Sequence, residues 1–338
     1  MSDKVKYGII GTGPRGQALM KAALDSGEIE IVAMSDVQSD MLEKAAQLVP
    51  QTQRFSDYHD LLALEEVDAV VVATPNHTHY GILLDCIAAG KHILSEKPVA
   101  TSLNELDKII ELVKKSNIIF QVGTELRYDP MFRQMKSLVD DGTTGPVRMM
   151  WCKEFRPPFK PGYENWRLRN ISGGTFLEKN IHHFDLFNWI IGSNPVKVSA
   201  FGGNEVIYKE QEVIDNGWAI VEYENGARAS LGVCMFRHFG FDLQMGVMGE
   251  LGTLEGHVPD LYLELKTARM QATYKFDNYF AKGFEHGGEV EQHLSFVESI
   301  RTGKPTSAGI EAARWSHLIA LAAEKSVKTG QTINLREM

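Results

Sequence analysis

Residues 11–16 carry a G-x-G-x-x-G pattern, and the position of this pattern restricts the possible folds more than the pattern itself does. The glycines follow the apolar run at 5–10 directly and open a segment with helical spacing. In such a strand–turn–helix unit the first glycine permits a tight turn, the second lets the backbone approach a pyrophosphate, and the third allows close packing. Unpaired N–H groups at the helix start would then bind the phosphates. The residues predicted to form this dinucleotide site are Gly11, Thr12, Gly13, Pro14, Arg15 and Gly16.

Asp36 indicates which dinucleotide this site would take. It stands at the end of the second apolar run, 20 residues beyond Gly16. A carboxylate there suits hydrogen bonds from the adenosine ribose hydroxyls. Val, Gln and Ser follow it at 37–39, so no arginine or lysine would compensate the charge of a 2′-phosphate. The sequence therefore predicts NAD rather than NADP, and the alternative is a glycine turn that binds no ligand.

The first third of the chain alternates apolar runs with helical segments. The predicted strands lie at 5–10, 30–35, 68–74, 91–96 and 118–123, and the predicted helices near 14–26, 39–48, 77–89 and 102–115. The strands are continuous apolar runs, which favours a parallel sheet covered by helices on both faces. This order predicts an α/β protein with an N-terminal Rossmann-type, doubly wound parallel sheet.

The pattern changes after about residue 123. Longer strand-like runs at 147–155, 197–203, 219–233 and 241–257 follow one another, with the turn signal Glu-Asn-Gly-Ala inside the third. Helices are predicted at 289–303 and 310–330, each ending at a glycine. These features predict a second α/β domain with a mostly antiparallel sheet. The predicted division is residues 1–123 for the NAD-binding domain and 124–338 for a substrate and oligomerisation domain.

Composition argues against several classes of function. The net charge is −9, and no run of lysine and arginine suited to a phosphate backbone occurs. Cys86, Cys152 and Cys234 lack C-x-x-C spacing, which favours reduced thiols in a cytoplasmic protein over disulfides or a thiolate metal site. No secretory signal is evident, and no apolar run reaches the about 20 residues of a membrane helix. We therefore expect a cytoplasmic protein without nucleic-acid or membrane partners.

Two segments follow predicted parallel strands, at the edge where such sheets bind ligands. Lys97 lies in Ser-Glu-Lys-Pro after the fourth strand, and its charge would point into the cofactor crevice; the alternative is a surface lysine paired with Glu96. The segment after the third strand is expected to flank the nicotinamide, and the alternative for its histidines is a loop without ligand contact. The predicted residues there are Thr74, Pro75, Asn76 and His79.

The apolar stretch at 172–192 carries charged groups that a purely structural helix would not need. On one helix Glu178, His182 and Asp185 would be spaced i, i+4 and i+7 and share a face, whereas Lys179 and His183 would point elsewhere. Several alternatives stay open. Thr175 and Glu178 fit a capping box, His182 fits a buried core histidine, and Asp185 fits a residue that only supports His182. A metal site is disfavoured because the three offer one nitrogen ligand and no cysteine.

These segments together resemble one known family. GIIGTGPRG, ATPNHTH (73–79), AAGKHILSEKPVA (88–100), VGTELRYDP (122–130) and SGGTFLEKNIHHFD (172–185) are similar to motifs of the glucose–fructose oxidoreductase and inositol dehydrogenase (Gfo/Idh/MocA) family. The resemblance continues in ESIRTGKP (298–305) and EKSVKTGQTINL (324–335). It implies an NAD(P)-dependent dehydrogenase of sugars, cyclitols or related polyols. It also implies a cis peptide bond before Pro98, and a large open C-terminal sheet that mediates homodimers or homotetramers.

The resemblance also implies roles for individual residues. His182 would accept the proton of a secondary hydroxyl during hydride transfer to nicotinamide, a task that suits an imidazole with a pKa near 6.5. Lys97 would stabilise the developing alkoxide, and Glu178 would orient Lys97 or His182. Glu96 is expected beside the cofactor. The residues expected to line the substrate pocket are Arg127, Tyr128, Trp166, Arg169, Asp185 and His286. For Arg127 the alternative is a surface arginine.

The chain departs from the family pattern at two positions. Glu178 stands where aspartate is usual, and Asn180 where glycine is usual. Both changes leave the chemistry feasible but reshape the pocket, which puts the usual substrates in doubt. One alternative function is therefore an NAD-dependent glycosidase that oxidises a ring hydroxyl transiently. Another is a sugar-sensing regulator without turnover, against which the intact Lys97 and His182 argue.

Overall fold

The computed structural model describes residues 4–158, 164–167, 170–209, 211–284 and 286–338. The chain divides into two compact units, the first formed by Met1–Tyr128 with Gly283–Arg314 and the second by Asp129–Lys282 with Trp315–Met338. The predicted division assigned all of 124–338 to the second domain, whereas residues 283–314 belong to the first unit. A helical pattern in sequence does not reveal which unit the helix packs against, so a contiguous division was the only one the pattern could suggest.

The first unit contains a parallel sheet. Its described strands are β1 (Val5–Ile10), β2 (Ile29–Ser35), β3 (Gln53–Phe55), β4 (Ala69–Val72), β5 (His92–Ser95) and β6 (Phe120–Val122). They lie in the order β3-β2-β1-β4-β5-β6, and each neighbouring pair is parallel. This order confirms the predicted doubly wound Rossmann sheet. Strand β3 was not predicted, because its three residues are largely exposed and present no apolar run.

Helices cover both faces of this sheet. They are α1 (Pro14–Asp25), α2 (Ser39–Ala46), α3 (Tyr58–Leu62), α4 (His79–Ala88) and α5 (Leu103–Lys114). Along β4, Val70 and Val72 pack in one hydrophobic cluster and Val71 packs in the other. Because successive side chains of a strand point to opposite faces, both faces of the sheet are buried. This explains why the strands read as unbroken apolar runs.

The second unit contains a mixed sheet. Its described strands are β7 (Val147–Phe155), β8 (Pro195–Gly203), β9 (Asn216–Tyr223), β10 (Arg228–Cys234), β11 (Asp242–Gly249), β12 (Gly252–Val258), β13 (Tyr262–Thr267), β14 (Gln271–Lys275) and β15 (Ile333–Asn334). The order is β14-β13-β12-β11-β7-β10-β9-β8-β15. The β7–β10 pair is parallel and the other neighbours are antiparallel, as predicted. The predicted turn joins β9 to β10, with Gly226 at φ 82°.

The remaining helices are α6 (Pro130–Asp140), α7 (Glu164–Arg167), α8 (Thr175–Glu178), α9 (Ile181–Ile191), α10 (Glu289–Thr302) and α11 (Ile310–Thr329). The prediction that Glu178, His182 and Asp185 lie on one helix is wrong, because Glu178 belongs to α8 and the other two to α9. Asn180 separates the two helices with a ψ of 1°, outside helical geometry. Among the described residues, no helix combines the length and apolar character that a membrane crossing requires.

Candidate active site

The glycine turn is built around two close backbone contacts. Gly11 has φ 91°, and a Cβ there would lie 2.6 Å from the carbonyl oxygen of Ala73. A Cβ on Gly16 would lie 2.1 Å from the carbonyl oxygen of Gly11, so α1 could not pack this closely with any other residue. A Cβ on Gly13 would meet no protein atom within 4 Å. The absence of a side chain at Gly13 therefore leaves room for a ligand to approach the backbone, which fits a pyrophosphate at the start of α1.

Asp36 is fixed beside this turn by hydrogen bonds to backbone and side chain. Its Oδ2 accepts from the Thr12 backbone N–H at 2.7 Å and from the Thr12 hydroxyl at 3.2 Å. Its Oδ1 accepts from the backbone N–H of Gln38 at 2.9 Å. The carboxylate is half-buried at the end of β2. This position fits a carboxylate that binds ribose hydroxyls, and together with the open cradle at Gly13 it suits a dinucleotide.

His79 lies between two backbone segments, and its neutral ring donates to one of their carbonyl groups at a time. Its Nδ1 lies 2.7 Å from the carbonyl oxygen of Pro98, and its Nε2 lies 2.8 Å from that of Thr74. The ring is fully buried, and burial lowers the pKa of His79. Both ring nitrogens face backbone carbonyl groups of the loop, and a contact of His79 with the cofactor stays a prediction. Thr74 hydrogen-bonds to the hydroxyl of Thr78 at 2.8 Å.

The segment around Lys97 has the backbone that the resemblance implied. The Lys97–Pro98 peptide bond is cis. The backbone N–H of Lys97 donates to Glu96 Oε2 at 3.2 Å, whereas Glu96 Oε1 accepts from Arg15 Nε at 2.6 Å. Lys97 is half-buried, and Glu96 is buried. Glu96 is thus an acceptor for the peptide of Lys97 and for the guanidinium of Arg15.

Arg15 is surrounded by carboxylates. Its guanidinium pairs with Glu96 at 2.6 Å, with Glu289 at 3.0 Å and with Glu125 at 3.5 Å. Burial lowers the pKa of Arg15, but the three negative charges outweigh burial and raise that pKa above its ordinary value. The Arg15 side chain is therefore directed to protein carboxylates, and a contact of its backbone N–H with the cofactor stays a prediction. Sequence spacing gave no signal for this cluster, because Glu289 is 274 residues from Arg15.

Arg127 and Tyr128 are buried on a 3₁₀ helix, Glu125–Tyr128. Arg127 Nη1 donates to the carbonyl oxygen of Ser307 at 2.5 Å. The Tyr128 hydroxyl lies 3.1 Å from the hydroxyls of Thr306 and Ser307. The surface-arginine alternative is therefore wrong. Both side chains hold the segment at 306–307, which is a structural contact that the substrate-pocket prediction did not include.

In the second unit, Glu178 ends α8 and is buried. Its Oε1 lies 3.1 Å from Arg167 Nη1, and the Arg167 guanidinium lies 5.1 Å from the ring centroid of Trp166. The capping-box alternative is wrong, because α8 begins at Thr175 and its N-cap is Gly174; the Thr175 hydroxyl donates to the carbonyl oxygen of Ile214 at 2.6 Å. Sequence reasoning missed Arg167 as the partner of Glu178. The predicted Arg169 lies outside the described residues.

His182 and Asp185 lie three residues apart on α9 and are buried, at 5% and 1% exposure. They share one side of that helix, as the spacing predicted. The break at Asn180 means that Glu178 is not on the same helix. The three-residue face of Glu178, His182 and Asp185 is therefore corrected to a pair on α9 and a separate carboxylate on α8.

A second buried polar cluster was missed by the sequence analysis. Glu154 on β7 pairs with Lys179 at 3.1 Å and lies 3.7 Å from His183 Nε2, and the amide of Asn180 donates to it at 3.3 Å. Burial raises the pKa of Glu154, but the charges of Lys179, His183 and Arg156 outweigh burial and lower it. The Asn180 side chain thus occupies space that the usual glycine would leave open.

Three further observations concern histidine, acidic and cysteine side chains. His286 Nε2 lies 3.3 Å from Glu125 Oε1, within the first unit. Across the part of the chain that the structure describes, no group of three or more histidine, cysteine, aspartate and glutamate residues is arranged to hold a metal ion. The cysteines Cys86, Cys152 and Cys234 are free thiols.

Comparison with protein families matches both units. Residues 5–124 match the model of an oxidoreductase family with an NAD-binding Rossmann fold, and residues 132–255 match the GFO/IDH/MocA C-terminal domain. The chain is 30% identical to the uncharacterized oxidoreductase YrbE of Bacillus subtilis, over 99% of this chain and 98% of that protein. It is 26% identical to myo-inositol 2-dehydrogenase of Thermotoga maritima, over 99% of both chains.

Comparison with solved structures supports the fold. The structure of a levoglucosan dehydrogenase in complex with NADH superposes with a TM-score of 0.89. It covers 98% of this chain and 99% of that chain at 19% sequence identity. At that identity the similarity establishes the shared architecture of both units.

Proposed function

The chain belongs to the Gfo/Idh/MocA family of oxidoreductases with an NAD-binding Rossmann fold, and on this premise we propose that it oxidises a secondary hydroxyl of a cyclitol or sugar. The observation that carries the proposal is the glycine turn with Asp36 fixed beside it through Thr12. The relatives support the substrate class, since they include myo-inositol 2-dehydrogenase and a scyllo-inositol 2-dehydrogenase that uses NAD.

The proposed chemistry divides between cofactor and protein. When bound, NAD supplies the hydride acceptor. We assign the imidazole of His182 to accept the hydroxyl proton and the ammonium group of Lys97 to stabilise developing negative charge on the substrate. These roles follow from the positions of both residues within family motifs.

The pair of half-buried Arg167 and buried Glu178 supports a pocket for a polyhydroxylated ligand. A carboxylate held 3.1 Å from a guanidinium keeps a fixed orientation and can accept hydrogen bonds from vicinal hydroxyls. Asn180 fills the position of the usual glycine and is itself held by Glu154. We therefore expect the accepted substrate to differ in shape from the substrates of relatives that carry glycine there.

The proposal is tested by following NADH formation with purified protein, NAD and a panel of cyclitols and free sugars. Turnover of at least one polyol is the expected result, and no NADH with any member would reject the proposal. An aryl glycoside in the same assay tests the glycosidase alternative. Release of the aglycone without NADH would favour that alternative, which the dehydrogenase relatives do not support.

The proposal includes assembly of copies through the open face of the second sheet. Phe201 is 74%, Trp218 54% and Ile220 50% exposed on β8 and β9. The Trp218 ring lies over Gly232, where a Cβ would approach it within 2.7 Å, so a larger residue at 232 would displace the ring. Large exposed apolar patches of this kind mark protein interfaces. The cytoplasmic location predicted from the scattered cysteines stays a prediction.

A further inference from the structure

We propose that Arg15 is a positioning residue that couples the glycine turn to the peptide segment bearing Lys97. The inference rests on the proposed dehydrogenase function, because it assigns Lys97 its role there. Arg15 stands inside the G-x-G-x-x-G pattern, but its side chain is directed to protein carboxylates. It therefore acts on the backbone around the site.

Each guanidinium nitrogen of Arg15 contacts a different carboxylate. Arg15 Nε contacts Glu96 at 2.6 Å, Nη1 contacts Glu289 at 3.0 Å and Nη2 contacts Glu125 at 3.5 Å. The three carboxylates come from the end of β5, from the start of α10 and from the 3₁₀ helix Glu125–Tyr128. One side chain in the first turn of α1 thus connects three segments of the first unit.

Burial makes these contacts strong and specific. The side chains of Glu96, Glu125 and Glu289 are 7%, 2% and 2% exposed. Removing Arg15 takes a shared cationic partner from three buried carboxylates, which is destabilising for the local arrangement. A lysine could not replace Arg15 fully, because its single ammonium group lacks the planar fork that addresses separate acceptors.

Glu96 transmits the position of Arg15 to Lys97. Its Oε1 accepts from Arg15 and its Oε2 accepts from the backbone N–H of Lys97 at 3.2 Å. The carboxylate of Glu96 therefore links the glycine turn to the Lys97 peptide. His79 Nδ1 lies 2.7 Å from the following carbonyl group, that of Pro98. The contact between Glu96 and the Lys97 N–H is therefore the one that links Lys97 to Arg15.

A positioning role predicts a separation of kinetic constants. Because the Arg15 side chain pairs with carboxylates and not with a phosphate, Arg15→Gln should leave the KM for NAD within about threefold of wild type. Displacement of Lys97 by about 1 Å should lower kcat by up to about 100-fold. A phosphate-binding arginine would give the opposite pattern, with a large rise in KM for NAD.

The experiment compares Arg15→Gln, Arg15→Lys and Glu96→Gln with Arg314→Gln. Arg314 makes a two-contact pair with Asp107 in the same unit, at 2.6 and 3.0 Å, and is the matched control. Glu96→Gln keeps the side-chain size, but its amide nitrogen cannot accept, so the contact with Arg15 or with Lys97 is lost. The expected order of kcat is wild type and Arg314→Gln, then Arg15→Lys, then Arg15→Gln and Glu96→Gln.

Hydrogen–deuterium exchange supplies a second readout that needs no turnover. In Arg15→Gln and Glu96→Gln, the peptide covering 92–100 should exchange faster than in Arg314→Gln, since the Lys97 N–H loses a restrained acceptor. Unchanged kcat and unchanged exchange in these variants would overturn the inference, as would a selective rise in KM for NAD. If wild-type protein forms no NADH with any polyol, the proposed function fails, and the exchange data alone decide whether Arg15 positions the Lys97 segment.

Discussion

Glu324 on α11 accepts a hydrogen bond from the backbone N–H of Phe176 at 2.7 Å, across 148 residues of sequence. Burial raises the pKa of Glu324 to about 7, although this hydrogen bond and the charge of Lys328 lower it. The terminal helix thus fixes the start of α8 with a carboxyl group that titrates near neutral pH. Two predictions concern this contact.

The first prediction is a pH dependence of stability that Glu324→Gln removes. The folded pKa lies above the ordinary carboxyl value of 4.5, so between those values the folded state holds a proton that the unfolded state has released. The stabilisation is therefore full below about pH 4.5 and is lost as the pH rises to about 7, by up to about 3 kcal/mol. The amide of glutamine still accepts from Phe176 and does not titrate. Denaturant unfolding from pH 4.5 to 8 should give a flatter curve for the variant.

Glu311→Gln is the control for this measurement. Glu311 lies on the same helix but is exposed, and it should keep the wild-type pH profile. Parallel profiles for wild type and Glu324→Gln would show that Glu324 does not titrate in this range.

The second prediction is that Gly174→Ala destabilises the protein more than Gly192→Ala. Gly174 has φ 93°, and a Cβ there would lie 2.2 Å from the carboxyl carbon of Glu324. Gly192 also has a positive φ, 66°, but a Cβ would meet no atom within 4 Å. Gly192→Ala should therefore lower the free energy of unfolding by only about 1–2 kcal/mol, the cost of a left-handed alanine. Gly174→Ala should lower it by several kcal/mol, because the clash with Glu324 adds to that cost. Equal losses in the free energy of unfolding would contradict this view of the contact.

The sequence predicted the elements of the fold well where burial leaves a periodic signal. Strands β1, β2 and β4–β6 are buried on both faces and were recognisable as apolar runs, whereas the exposed β3 was not. The split of 172–192 was missed because Asn180 is compatible with a helix. Its non-helical backbone accompanies a contact with Glu154, 26 residues earlier in the chain.

The local geometry of the glycine turn was predictable because its residues are close in sequence. The turn at Gly11 and Gly16 and the position of Asp36 beside it follow from one strand–turn–helix unit. The environment of Arg15 could not be assigned, since its carboxylate partners lie 81 and 274 residues away for Glu96 and Glu289. Pairing between charges distant in sequence depends on tertiary packing, which periodicity does not encode.

The third prediction concerns cofactor preference. Asp36→Arg should lower kcat/KM with NAD and raise it with NADP, because the variant replaces a ribose acceptor by a cation that can bind a 2′-phosphate. Steady-state kinetics with both cofactors measures the ratio. Asp40→Arg, an exposed change on α2, is the control for added charge and should leave the ratio near the wild-type value. An unchanged ratio in Asp36→Arg would place the ribose elsewhere.

The fourth prediction separates chemistry from binding. His182→Ala should lower kcat by about 10²–10⁴-fold, as expected for loss of a general base, and Lys97→Met should also lower it by orders of magnitude. The dissociation constant of NAD should change little in both. Calorimetric titration with NAD and single-turnover NADH formation measure the two effects. Lys108→Met, an exposed change on α5, should match wild type in both assays. Near-normal turnover in Lys97→Met would reject the proposed role of that ammonium group.

The fifth prediction is that a charge on the open sheet face disrupts assembly. Trp218 lies between Phe201 on β8 and Gly232 on β10 in the strand register, at the centre of the exposed aromatic surface. Trp218→Lys would place an unpaired cation in an apolar interface, which is unfavourable unless the charge finds a partner. Light scattering should therefore report a smaller species than wild type at the same concentration. Leu48→Lys, at another exposed apolar position, should keep the wild-type mass. A wild-type mass for Trp218→Lys would show that this face is not the interface, and a monomeric wild-type protein would reject assembly through this sheet altogether.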